Sequence, residues 1–283
     1  MVSTEAPLIV IGGGVGPMAG VFLQRKIISI TPGVRGDSDH LPVIHICCPA
    51  SVGDRTKWLL TKQGVNPGRQ MADLIIDTLK LRDERGRRLL IGVPCNTFHS
   101  KQIFDAFEDR LHNRSLTGDN RLCIVNMINS TTDKLRTLLP EKEKIGILAT
   151  NGTRESGIWR MNLTQAGFNP LQPSMEEQQQ IHELIYNPDW GLKAVYPATH
   201  RAADLLERAV TNMKARGASA VILGCTELPL GVEGRDYQQN YLIDPVDCLA
   251  AELVSRYSEL SRLNLAALSP PATPRSLASG SVR

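Results

Sequence analysis

The sequence predicts an α/β protein of two pseudo-symmetric lobes. Each lobe is a mainly parallel sheet flanked by helices, and the active site falls in the cleft between them. Three observations carry this reading. Short apolar runs of strand length alternate with longer segments of helical period along most of the chain, as in parallel sheets covered on both faces. The order also repeats: an apolar run ending in a polar turn, Leu8–Gly16, is followed by the cysteine loop Val93–His99, and a second such run, Lys144–Thr153, is followed by the cysteine loop Leu223–Pro229. A length of 283 residues accommodates about two domains.

In chain order, Leu8–Ile11 is a buried strand, and Gly12-Gly13-Gly14-Val15-Gly16-Pro17 turns the chain into a helix over Met18–Ile30. Gly14-x-Gly16-x-x-Ala19 formally matches a dinucleotide fingerprint, but no acidic residue closes the next strand, because Asp37 and Asp39 sit in a polar loop. Val43–Cys47 is the second strand, and a polar segment with Asp54-Arg55-Thr56 follows. Asn66-Pro67 caps a helix with Met71, Leu74, Ile75 and Leu79 on one face. Leu89–Val93 is a strand, and the helix after it carries Ile103, Phe104, Phe107 and Leu111. Beyond the loop Arg114–Asn120 come a strand over Leu122–Val125, a helix over Thr131–Leu139 and a strand over Lys144–Ala149. Helices are expected over Thr153–Ala166 and Met175–Ile185, with a loop at Asn187–Val195. Pro197 is expected to start a long helix, Ala220–Leu223 and Tyr241–Ile243 to be strands, and Pro245–Leu260 the last helix. The lobes are thus 1–126, completed by about 243–265, and 127–242; 266–283, rich in Ser, Pro and Ala, reads as a flexible tail.

Composition narrows the function. Hydrophobic residues make up 42% and charged residues 22%, as in ordinary globular proteins. A net charge of +3 argues against a nucleic-acid partner. The basic cluster Arg82, Arg85, Arg87 and Arg88 is interleaved with Asp83 and Glu84 and reads as a solvated helix end. There is no signal-peptide pattern, and no apolar stretch is long enough for a membrane span. The six cysteines read as reduced thiols, so a cytoplasmic location is expected.

The two cysteine loops carry the chemistry. In each, a thiol stands at the mouth of a buried strand and is followed by small polar residues. Cysteine acts as base or nucleophile only as its thiolate, which nearby donors and a helix N-terminus stabilise. Cys95 precedes a helix expected to begin near Thr97, and Cys225 has the same local grammar. In parallel sheets the ligand crevice lies at the carboxyl ends of the strands. Gly12–Gly16, Cys95–Thr97, Thr150–Thr153 and Cys225–Glu227 converge there. Asn96, Thr97, Thr153 and Thr226 offer neutral donors for a carboxylate, and Arg55 and Lys193 are cations able to reach a second acid group. Glu227 is either an exposed turn residue or a participant in proton traffic. His99 lacks a second Cys/His pair for metal binding and reads as a scaffold residue, so no metal is expected. Cys47, Cys48, Cys123 and Cys248 lie in or beside apolar runs and read as packing thiols.

Gly13–Ala19, Asp37–Pro42, Asp54–Thr56, Pro94–His99, Leu148–Thr153 and Gly224–Leu230 together resemble the aspartate/glutamate racemases, the aspartate racemase branch in particular. The resemblance spans about Leu8–Glu252. It implies a usually dimeric racemase that interconverts L- and D-aspartate without pyridoxal phosphate or any other cofactor. Cys95 and Cys225 would be its two bases. Arg55 and Lys193 would hold the side-chain carboxylate, and Asn96, Thr97, Thr150 and Thr226 the α-carboxylate. Thr153, Glu227, Gly14 and Met18 complete the expected substrate-binding set. Glutamate fits the same scheme, alone or alongside aspartate. The sequence departs from the family at Cys47-Cys48-Pro49, where Asn-Asn-Pro is usual, and at Phe98 and Val15, which bear on substrate preference. An isomerase or decarboxylase of another small diacid, and an amino-acid-binding sensor without turnover, are the alternative readings.

Overall fold

The computed structural model describes residues 6–81, 87–114, 121–232 and 241–268, with side chains to 261 in the last helix. The expected tail from 269 onward, Arg82 to Arg85 of the basic cluster and most of the 114–120 loop lie outside the described residues. Two four-stranded sheets share one plan. In the first, β1 (Leu8–Gly12), β2 (Val43–Ile46), β3 (Leu89–Gly92) and β4 (Leu122–Val125) are ordered β2-β1-β3-β4. In the second, β5 (Lys144–Ala149), β6 (Asn169–Leu171), β7 (Ala220–Gly224) and β8 (Leu242–Ile243) are ordered β6-β5-β7-β8. All six strand pairings are parallel. Strand order reverses beside β1 in one sheet and beside β5 in the other, and at such a switch point the connections diverge and leave a crevice.

The helices cover both faces. In chain order they are α1 (Pro17–Ile30), α2 (Arg55–Thr61), α3 (Pro67–Leu81), α4 (Lys101–Asn113), α5 (Met127–Leu138), α6 (Asn151–Ser156), α7 (Ile158–Gln165), α8 (Met175–Tyr186), α9 (His200–Ala215) and α10 (Pro245–Leu268). Alternate residues of each strand feed opposite layers. Leu8, Val10, Leu89 and Ile91 pack with Met71, Ile75, Phe104 and Phe107 of α3 and α4. Ile9, Ile11 and Leu90 pack with Leu23 and Ile27 of α1 and with Val246, Leu249 and Leu253 of α10. In the second sheet Leu148, Val221 and Leu223 meet α8 and α9, while Ile145, Ile147 and Ile222 meet α5 and α7. The last helix thus returns to the first sheet after β8 has closed the second. No described helix is long and apolar enough to cross a membrane.

The expected order of elements is present, with local differences that have physical causes. The helix expected over Thr153–Ala166 is two, α6 and α7, because Gly157 adopts φ 67° between them. Pro197 lies before α9, which starts at His200 because the Thr199 hydroxyl accepts from the backbone N–H of Ala202 at 3.2 Å. Asn126 caps α5 in the same way, so that helix begins at Met127 rather than Thr131. The strand β6 went unanticipated: its central Pro170 is tolerated because β6 is an edge strand bonded only to β5. Arg55 opens a helix rather than lying in a loop, with Asp54 capping Lys57 at 2.7 Å. The last helix continues through Leu268, past the expected start of the tail at 266.

The tightest helix contact is at Gly68 in the first turn of α3, where an added Cβ would stand 2.0 Å from the carbonyl oxygen of Ile103. Backbone cannot yield there as a flexible side chain can. Gly68→Ala is therefore expected to destabilise the fold by about 2 kcal/mol or more, read as a lowered midpoint in denaturant unfolding.

Candidate active site

Both cysteine loops leave topologically equivalent strands. Cys95 follows β3 and Cys225 follows β7, each the inner neighbour of the first strand of its sheet. Each residue is 6% exposed. The helix expected at Thr97 begins only at Lys101; a single 3₁₀ turn, Thr97–His99, lies between. Cys95 is therefore set by local bonds rather than by a helix end: its N–H donates to Val93 O at 2.9 Å, and its carbonyl accepts from Phe98 N. His99 supports it from behind. Its Nδ1 bonds Cys95 O at 2.9 Å and its Nε2 meets the N–H of Met127 at 3.3 Å. Because Nε2 must accept there, the proton sits on Nδ1. Burial holds the His99 pKa down at about 4, so the ring is neutral.

The partner of Cys95 is Arg55. Its guanidinium donates to Val15 O at 2.9 Å and Gly53 O at 3.2 Å, and it sits near enough to Cys95 to interact electrostatically. Burial works against its charge, but the sulfur and Asp54 outweigh burial and raise its hold on the proton. Its Nε is a buried donor with no hydrogen-bond partner among the described residues.

The surroundings of Cys225 are opposite in sign. Its Sγ donates to Glu227 Oε2 at 3.0 Å, and the Thr226 hydroxyl donates to the same oxygen at 3.3 Å. The other oxygen, Oε1, pairs with Lys193 Nζ at 2.8 Å. Glu227 is 4% exposed, so it is a buried carboxylate and not an exposed turn residue. Burial alone would push Glu227 up, but Lys193, the thiol and Arg55 bring it below the usual carboxylate range. Burial first, and then the neighbouring carboxylate, push the Cys225 thiol well above its ordinary value. At neutral pH this half-site is thiol beside carboxylate. Gly16, at φ 118°, makes room for it: a Cβ there would lie 2.3 Å from Glu227 Oε1. The glycine loop thus cradles a protein carboxylate.

Both lobes also contribute to a layer of neutral donors. The Thr97 hydroxyl is 2.7 Å from that of Thr153 and 3.4 Å from that of Thr150, and the last two are 3.1 Å apart. Asn96 Oδ1 accepts from Trp159 Nε1 at 3.2 Å, which leaves its buried Nδ2 with no partner among the described residues. Gly14, at φ 78°, packs against the backbone of Cys48, and Met18 is half-buried against the second lobe's core.

Cys95, Arg55, Asn96, Thr97, Thr150, Thr153, Lys193, Cys225, Thr226 and Glu227 are therefore brought together. Some readings change. Lys193 is bound to Glu227 rather than left free. Phe98 is fully buried against Phe104 and Phe107 and does not face the cleft, so it acts on the Cys95 loop through packing. Cys47 and Cys48 are exposed, not packing thiols. Two participants were missed. Trp159 orients Asn96, and Tyr186 reaches across the cleft from the end of α8. The helix over Met175–Ile185 was expected to stop one residue short of Tyr186, and that boundary hid it.

A profile of the Asp/Glu/Hydantoin racemases matches residues 13–253, most of the chain. The chain belongs to the Asp/Glu/Hydantoin racemase family. This racemase-family chain is 32% identical over 128 residues, 44% of its own length and 80% of the other's, to an uncharacterized protein in the pnlA 3′ region of Pectobacterium carotovorum. Its fold is similar to that of Picrophilus torridus aspartate racemase, with TM-score 0.67, 24% identity, and 91% and 99% of the two chains covered. It is also similar in fold to Francisella tularensis glutamate racemase in complex with D-glutamate, with TM-score 0.57, 17% identity, and 93% and 84% covered.

The neutral, buried His99 gives a pH signature. Between about pH 6.5 and 4 the unfolded chain binds the imidazole proton and the folded chain does not, so this contribution to stability is present above pH 6.5 and is lost as pH falls towards 4. The full loss is on the order of 3 kcal/mol. In His99→Gln, the curve of unfolding free energy against pH is expected to flatten over that window.

Proposed function

We propose that this chain interconverts the enantiomers of an acidic amino acid, aspartate before glutamate, with Cys95 and Cys225 as bases on opposite faces of Cα. The observation that carries the reading is the paired delivery of one buried cysteine from each lobe, on equivalent loops with contrasting charge around them. In one direction, Cys95 beside Arg55 accepts the α-proton, and Cys225, held as a thiol, donates to the opposite face. That turnover leaves Cys95 as the thiol and Cys225 as the thiolate, and from this state the reverse direction runs with the roles exchanged. Glu227, 3.0 Å from Cys225 Sγ, can exchange a proton with it between turnovers while Cys95 exchanges its own with solvent. A second substrate carboxylate that draws Lys193 away leaves Glu227 with less counter-charge and makes it a better proton acceptor.

The amino acid's α-proton is a very weak acid, so charge developing towards the α-carboxylate must be met by fixed donors. Asn96 Nδ2 and the Thr97, Thr150 and Thr153 hydroxyls are suited to that. The unpartnered Arg55 Nε, together with Lys193, suits a second acid group. A thiol at each face lets the site act on either enantiomer, and the scheme uses no cofactor.

Incubation of each enantiomer of aspartate and of glutamate in heavy water is expected to give inverted product with deuterium at Cα. Absence of exchange with either amino acid overturns the reading. Exchange only with 5-substituted hydantoins would keep the thiols and discard the acidic substrate. Cys95→Ala and Cys225→Ala are each expected to reduce inversion by about a thousandfold or more. Glu227→Gln is expected to lower kcat by about tenfold to a hundredfold, with both cysteines intact by thiol titration.

A further inference from the structure

Tyr186, the last residue of α8, belongs to the second lobe, yet its hydroxyl is spent on the first. It lies 3.3 Å from Asp54 Oδ2 and 3.4 Å from Thr56 Oγ1, the two residues that flank Arg55. Its ring meanwhile lies beneath Lys193, whose Nζ is 5.4 Å from the ring centroid. One side chain therefore touches the segment that carries one cation and the face that supports the other. His182, one helical turn earlier, packs on the ring at 4.7 Å and fixes its place. Burial lifts the Tyr186 hydroxyl to about 12, which keeps it neutral and able to donate.

The lobes also approach closely beside this contact. A Cβ on Gly152 of α6 would stand 2.5 Å from Thr56 Oγ1 and 2.8 Å from Thr56 Cα. Cys95, Cys225, Asn96, Thr97, Thr150, Thr153, Thr226 and Glu227 are all buried.

We propose that Tyr186 is a positioning residue that ties the Asp54–Thr56 segment to Lys193, so that both cations close together on the second carboxylate of one substrate. This rests on the acidic amino-acid reading above. The consequence is selectivity for length. A fixed span between the cations favours one separation of carboxylates, and a loosened span tolerates either.

The test uses Tyr186→Phe, which keeps the ring and removes the hydroxyl, and Thr56→Val, which removes its neighbour's. The readouts are steady-state kinetics with aspartate and glutamate, and calorimetric affinity for succinate and glutarate, which have their respective carboxylate spacings. Tyr186→Phe is expected to raise KM by about fivefold to tenfold while kcat changes by less than about threefold. The succinate-to-glutarate affinity ratio should move towards one, with the melting temperature unchanged. Thr56→Val should do the same, Thr56→Ser should retain the wild-type ratio, and the double variant should show less than additive loss. An unchanged ratio in both single variants, additive losses, or an even fall in kcat with a lowered melting temperature overturns the inference and leaves the racemase reading standing. Should Tyr186→Phe fail to fold, the Thr56→Val and Thr56→Ser pair decides by the same ratio. If the wild-type protein neither binds a diacid nor exchanges its α-proton, both readings fall together.

Discussion

The arrangement around Cys225 depends on keeping the Glu227 carboxylate ionised inside the protein. A buried charge is costly unless it is paired and its oxygens are bonded. Lys193 supplies the pairing at Oε1, while the thiol of Cys225 and the hydroxyl of Thr226 occupy Oε2. Gly16 supplies the room, since any side chain there would overlap the carboxylate. Removal of any one of these leaves a buried charge only partly compensated, so the loop after β1, the loop carrying Lys193 and the loop after β7 are constrained together.

This constraint explains why two lobes of identical strand order carry sites that differ electrically. Topology places Cys95 and Cys225 at equivalent positions. Their surroundings differ, however: Cys95 stands beside the Arg55 guanidinium and Cys225 beside the Glu227 carboxylate. The proposed two-base reaction, which removes a proton at one face and adds one at the other, needs unlike protonation states at the start. In the resting arrangement Cys225 keeps its proton, because burial and Glu227 both oppose ionisation. On the proposed reading, the lobes supply the paired geometry that serves both enantiomers, and their loops supply the electrical asymmetry between the two bases.

Much of this was legible in the sequence, for reasons that follow from local chemistry. The strands β1, β3, β5 and β7 are short runs of Leu, Ile and Val bounded by polar turns, and each is buried on both faces. Cys95, Thr150 and Cys225 closely follow such strands, so their placement at the carboxyl ends of the two sheets follows from topology. What was not legible depended on side-chain direction or on partners distant in sequence. Arg55 and Lys193 were expected at the cleft as cations, yet nothing local shows that Lys193 meets Glu227, 34 positions away. Phe98 follows Cys95 by three residues and looks like a cleft residue, but the 3₁₀ turn directs it into the core. Cys47 and Cys48 follow an apolar strand, and only the turn at Pro49–Ser51 brings them to the surface. Proline in Asn169–Leu171 masked an edge strand that pairing with β5 alone allows.

The neutral layer contributed by both lobes shows how a buried site can remain stable and still favour an anion. The Thr97, Thr150 and Thr153 hydroxyls satisfy one another across the lobes, and Trp159 engages the acceptor of Asn96. No buried charge is left exposed to solvent-free surroundings on this side. A carboxylate entering the layer exchanges hydroxyl–hydroxyl bonds for charge-assisted ones, which are shorter and roughly twice as strong. It also meets Asn96 Nδ2, a buried donor whose pairing recovers the desolvation cost of a group left unbonded. A neutral ligand gains only the second of these. On the proposed reading, selectivity for an acid at this end of the site arises without a cation, which leaves Arg55 and Lys193 for the second carboxylate and makes their separation the quantity that would decide which acid fits.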